Sequence, residues 1–133
     1  MLTSLKISDL TTASIGKPEH TFTVHVTGET ITARELIRLR VFQEVETYNQ
    51  ELPRAFRMLV QPSEAERTLN GFKFSKPRHV DSQAQFEKAI EAFEGNGFLV
   101  LVDDRQVEGL DDEIPLRPET SVSFLKLVPL VGG

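Results

Sequence analysis

His20-Thr-Phe-Thr-Val-His-Val26 alternates apolar Phe22, Val24 and Val26 with polar residues. That period of two is the mark of a strand with one buried face. Thr27-Gly28-Glu29 supplies a turn, and Thr30-Ile31-Thr32 opens a second strand, so the stretch is expected to be a hairpin. Thr32 and Glu35 have capping-box spacing, in which the threonine hydroxyl accepts from a backbone N–H three residues on. A helix is therefore expected from about Ala33. Ile37, Val41, Val45 and Tyr48 recur at helical spacing, widened by Leu36 and Phe42. The helix is expected to run to about Gln50 and stop before Pro53, which cannot donate to a helical ladder. Strand chemistry passing directly into helix chemistry makes the chain α+β.

Downstream, residues 51–80 carry mixed signals. Phe56-Arg-Met-Leu-Val60 fits a short strand or a helical turn, Pro62 can open a helical turn, and Asn70-Gly71 marks a turn before Phe72-Lys-Phe74. Asp81 or Ser82 caps a second helix with Phe86, Ala89, Ile90 and Phe93 on one face, ended by Gly95-Asn-Gly97. Phe98-Leu-Val-Leu-Val102 is nearly continuous apolar sequence, as expected of a central strand. Asp103-Asp104 turns the chain towards a short return strand at Gln106-Val107. Thr120-Ser-Val-Ser-Phe-Leu-Lys-Leu-Val128 is the last strand, and Pro129 ends regular pairing. The expected core is Ile37, Val41, Val45, Leu99, Leu101, Val122 and Phe124. Upstream, residues 1–19 are poorly periodic, with Gly16-Lys17-Pro18 as a breaker, and are expected to be an arm.

The 133-residue length suits one domain, and 39% hydrophobic with 26% charged residues is the balance of a globular chain. No apolar run approaches a membrane span, and the start lacks the basic and apolar regions of a signal peptide, so a cytoplasmic protein is expected. With no cysteine, disulfides, thiolate zinc sites and cysteine nucleophiles are excluded. A net charge of -5 disfavours generic nucleic-acid binding.

No catalytic or metal-binding cluster stands out. His20, His25 and His79 are scattered. Asp103-Asp104 and Asp111-Asp112-Glu113 lack calcium-loop spacing. Arg34, Arg38 and Arg40 are read as the solvated side of the first helix. Phe72 and Phe74 are read as strand core rather than a base-stacking platform. The distinctive feature is the end, Leu127-Val-Pro-Leu-Val-Gly-Gly133, an uncharged stretch closing on two residues without a Cβ. Such a tail can thread a narrow channel and present its carboxylate bare.

Three stretches then carry a family resemblance. Thr23-Val-His-Val-Thr-Gly-Glu-Thr-Ile-Thr32 is similar to the first hairpin of ubiquitin. Leu99-Val-Leu-Val-Asp-Asp-Arg-Gln-Val-Glu-Gly109 is similar to its later strand and the turn that follows. Glu119-Thr-Ser-Val-Ser-Phe-Leu-Lys-Leu127 resembles its final strand before Gly-Gly. The chain thus resembles the ubiquitin-like β-grasp family, in particular bacterial ubiquitin-like modifiers. The chargeless tail is similar to molybdopterin-synthase-type sulfur carriers. The expected organisation is an arm at 1–19, a β-grasp domain at 20–128 enlarged by a second helix, and a flexible tail at 129–133.

The resemblance implies a protein that is a substrate and not an enzyme. Gly132 and Gly133 form the reactive terminus. A partner, an E1-like adenylating enzyme, uses ATP to activate Gly133, with an E2-like protein and a JAB-type peptidase as further partners. The chain itself needs no cofactor. The activated glycine passes to a target amine as an isopeptide bond or to sulfur as a thiocarboxylate. Lys6, Lys17, Lys73, Lys76, Lys88 and Lys126 are available for chain building. Leu125, Leu127, Leu130 and Val131 are the expected partner-binding residues. Leu125 and Leu127 have the opposite parity to Val122 and Phe124, so they either form an apolar docking patch or lie under the added helix.

Overall fold

The computed structural model describes residues 2–11, 20–68 and 71–127. In chain order the elements are β1 (Leu2–Thr11), β2 (His20–Thr27), β3 (Thr30–Thr32), α1 (Ala33–Glu51), β4 (Ala55–Phe56), β5 (Glu66–Arg67) and β6 (Phe72–Lys73). There follow α2 (Ser82–Glu94), β7 (Phe98–Val102), β8 (Arg105–Val107), β9 (Glu113–Pro115) and β10 (Ser121–Lys126). The class is α+β. Two compact units are present: one comprises the chain up to Leu36 and from Phe93 onward, the other residues 37–92.

The first unit is organised by a five-stranded mixed sheet in the order β2-β1-β10-β7-β8. β1 runs antiparallel to β2 and parallel to β10, with Ile7 opposite Val122 and Leu10 opposite Leu125. Residues 2–11 are therefore not part of an arm. They alternate buried Thr3, Leu5 and Ile7 with exposed Ser4 and Lys6, and lie between two other strands. The rest of the expected arm, 12–19, lies outside the described residues.

The expected hairpin of residues 20–32 is also corrected. β2 pairs with β1, whereas β3 pairs with β9. The physical reason is visible at Ile31, which sits in register with Ile114; both are buried, and Leu116 N donates to Glu29 O at 2.9 Å beside them. The turn itself is real: Gly28 has φ 105°, a conformation open chiefly to glycine. The capping box holds, with Glu35 N donating to Thr32 Oγ1 at 3.2 Å. Ala33 N and Arg34 N donate to the carbonyls of Asp112 and Leu110, so the loop before β9 satisfies two orphan donors of α1.

One sheet face forms the core. Leu5, Ile7, Val24, Val26, Phe98, Val100, Val122 and Phe124 are all buried. Phe98 stacks between Phe93 and Phe124, with ring centroids 5.9 and 6.0 Å away. Leu99 and Leu101, expected in the core, are only half-buried. Their strand is apolar on both faces, and pairing with β10 puts Val100 opposite Phe124 and Leu99 opposite Leu125. The register, and not local composition, assigns the inner face. Asp103 and Asp104, at φ 49° and 69°, make the two-residue turn into β8, as left-handed hairpin turns require. Asp103 also exchanges two 2.9 Å hydrogen bonds with Ser121, one through its carboxylate, which ties that turn to the start of β10.

In the second unit, Ile37, Val41 and Val45 are fully buried, as their spacing predicts. Asp81 caps α2, its Oδ2 accepting from Ala84 N at 3.1 Å. Tyr48, Phe56, Phe72 and Phe74 form an aromatic cluster, the closest rings being Tyr48 and Phe56 at 4.5 Å. Polar groups pin the irregular segments. Asn49 bonds both N–H and C=O of Val80, at 2.8 and 2.9 Å, and Tyr48 Oη donates to Arg78 O at 2.7 Å. Gln85, buried, donates to Val60 O at 3.0 Å. Arg40 is not on a solvated face: it is 3% exposed and pairs with Glu44, whose other oxygen accepts from Leu59 N at 3.0 Å. At Gly71 a Cβ would fall 2.2 Å from Phe56 O, so the approach of β4 to the chain before β6 needs glycine.

Two stability outcomes are expected. Val122→Asp places a charge at a fully buried position beside Ile7 and should cost roughly 3–5 kcal/mol; an unchanged thermal melt would refute the core assignment. Glu44→Ala removes the acceptor that serves both Arg40 and Leu59. Chemical denaturation should show a loss of about 2–4 kcal/mol, whereas a loss of a few tenths would mean that the pair contributes little.

Candidate functional site

The face of the main sheet opposite the core carries a row of leucines. Leu10, Leu125 and Leu99 occupy directly registered positions on β1, β10 and β7. The next row is Ser8, Ser123 and Leu101. Leu10, Leu99, Leu101 and Leu125 are half-buried. Leu127, just beyond β10, is 40% exposed, and its N–H donates to Gly97 O at 3.4 Å. Of the expected partner-binding residues, Leu125 and Leu127 therefore lie at the end of β10 from which the chain continues to its C-terminus. Leu130, Val131, Gly132 and Gly133 lie outside the described residues.

The row is made by strand alternation. A β-strand points successive side chains to opposite faces, so Val122 and Phe124 go inward and Leu125 outward. Leu10, Leu99 and Leu101 were not among the expected site residues. The available signal was the unbroken apolar run of β7, which leaves apolar groups on both faces; only pairing with β10 shows which of them join Leu125.

The remaining polar candidates have structural duties. Asp112 accepts from Gly109 N at 3.0 Å, and Asp111 lies 3.5 Å from Arg34. His25 and His79 are exposed, His25 sharing a 3.0 Å hydrogen bond with Ser4. Among the described residues no three His, Cys, Asp or Glu side chains converge on a metal position. Phe74 is buried and Phe72 half-buried against Phe56, as the strand-core reading expects. A recess of about 130 Å³ lies in the second unit between Pro62, Phe74, Arg78, Asp81 and Lys88. Its charged groups are engaged: Arg78 pairs with Glu64, Lys88 Nζ donates to Gln61 O, and Asp81 caps α2. Among the described residues no helix is long and apolar enough to cross a membrane.

The chain matches no protein-family model, no curated protein and no solved structure. The leucine row and the terminal stretch beyond it are thus the functional candidates that the molecule itself supplies.

Replacing Leu125 alone by serine should cost only about 1–2 kcal/mol in chemical denaturation, because its side chain is incompletely buried. A loss as large as that of Val122→Asp would mean that this face is sealed and not available to a partner.

Proposed function

We propose that this chain is a ubiquitin-like β-grasp protein modifier whose C-terminal Gly133 is the reacting group. An E1-like enzyme adenylates that carboxylate with ATP, and the activated glycine is conjugated to target amines. The observation that carries the reading is the parallel pairing of β1 with β10 at the middle of the sheet, flanked by the antiparallel pairs β1–β2 and β10–β7. A β-grasp sheet has this order, with the first and last strands side by side. The correction at residues 2–11 supports the reading, since it supplies the strand that the sequence pattern lacked. In this arrangement Leu10, Leu99, Leu101, Leu125 and Leu127 form the docking face, and the apolar tail beyond Leu127 enters the partner's channel.

The chemistry belongs to the partner. A carboxylate resists direct attack by an amine; adenylation turns it into a mixed anhydride with AMP as leaving group, and pyrophosphate departs from ATP. An amine then forms an amide and expels AMP. A cysteine carrier, an E2-like protein, can hold the glycyl group as a thioester between these steps, and a JAB-type peptidase would cleave the product. This chain has no cysteine and so cannot be that carrier. The uncharged tail favours one second reading: a sulfur carrier, in which sulfide equivalents displace AMP to leave a thiocarboxylate at Gly133.

Intact mass spectrometry of the chain incubated with ATP and a candidate activating enzyme separates the outcomes. Attachment to an amine with loss of water indicates the modifier, and a gain of about 16 Da, oxygen exchanged for sulfur, indicates the carrier. Deleting Gly133 should abolish either product. A terminus that stays a free carboxylate with every such enzyme overturns both readings and leaves a non-reactive binding module.

A further inference from the structure

The two edges of the main sheet are treated differently. β8 is three residues long and begins with Arg105. Short, charged edges are how soluble proteins discourage strand addition. β2 has none of these protections. It is eight residues long, runs opposite β1 in eight consecutive pairs without a bulge, and contains no Pro, Lys, Arg, Asp or Glu. Among the described residues it pairs on one side only. Its residues are those that favour strands: three threonines, two valines and a phenylalanine beside two histidines. Among the described residues, then, the outer side of β2 has no strand paired to its backbone donors and acceptors.

From this we infer that β2 is a self-association edge, which pairs antiparallel with β2 of a second copy to join the two main sheets. The sequence of the strand selects that occupant because it is self-complementary. An antiparallel pair must oppose residues of the same face, since a slip by one position inverts every side chain. With Val24 on the two-fold axis, Phe22 opposes Val26 of the second copy, Thr23 opposes His25, and Thr21 opposes Thr27. Apolar meets apolar on the core side and small polar meets polar on the other. Shifting the axis to Thr23 would instead oppose His20 to Val26. Phe22, only half-buried at the sheet margin, gains an apolar neighbour in the chosen register. A two-fold strand pair is an isologous contact, so it closes at the dimer and does not propagate. The inference is independent of the chemistry proposed for Gly133.

The test is sedimentation velocity on the full chain over about 1–500 µM, the range in which a small interface shifts by mass action. The weight-average mass should climb from monomer towards dimer. Thr21→Lys with Thr27→Lys brings lysines into opposition across the axis at two exposed positions, and it should hold the chain monomeric with the melting temperature that the wild type shows at the lowest concentration. Hydrogen exchange of the wild-type amides at 21–27 gives a second measure: their protection should rise with concentration while that of β7 stays constant. A monomer at every concentration overturns the inference, as does a double variant that dimerises like the wild type. Residues 12–19 are the other occupant to be told apart; β2 amides that are fully protected in a monomer at the lowest concentration mean that this segment covers the edge, and the inference fails.

Discussion

The parallel ladder between β1 and β10 is the contact on which the main sheet depends. Without it the sheet falls into two pieces, β2-β1 and β10-β7-β8, neither with a continuous core face. With it, Leu5 and Ile7 join Val122, Phe124, Val100 and Phe98 in one buried layer. Parallel strands cannot be joined by a tight turn and need a long crossover connection. Here the connection includes the whole second unit. That unit consists of residues 37–92, and its irregular stretches are held by side chains more than by ladders: Asn49 on Val80, Glu44 on Leu59, Gln85 on Val60.

Local signals were legible where the physics is local. Thr32 and Glu35 announced the start of α1, Asp81 or Ser82 that of α2, where Asp81 is the cap, and Asp103-Asp104 the turn into β8, because each depends on groups within a few residues. Strand pairing was not legible in the same way. Ile7 alternates with polar neighbours, but of the two strands that flank it β2 follows a breaker-containing segment and β10 is more than a hundred positions away. Thr30-Ile31-Thr32 has strand chemistry that suits β2 as well as β9, and only the buried Ile31–Ile114 pair decides. Arg40 is the converse case. Its charge suggested solvent, yet Glu44 one turn later neutralises it in place.

The candidate site was half legible for related reasons. The opposite parity of Leu125 and Val122 follows from the pleat alone, and the structure places those residues on opposite faces of the sheet. That Leu10 and Leu99 extend the row could be known only from the register on both sides of β10. The terminal glycines lie outside the described residues, so what is read from them comes from the sequence alone.

The ladder at the centre also determines how the molecule carries load. Because β1 and β10 are parallel, Leu2 and Lys126 lie at opposite ends of the pair. Tension drawn through the N-terminal end of β1 and the C-terminal end of β10 therefore acts along the strands and shears all six registered positions at once, where an antiparallel pair would unzip from one end. Forced unfolding is governed by the unfolding barrier, and shear raises that barrier by requiring the bonds to fail together. A chain tethered through its C-terminus and pulled from its N-terminus would resist extraction more than its equilibrium stability alone suggests.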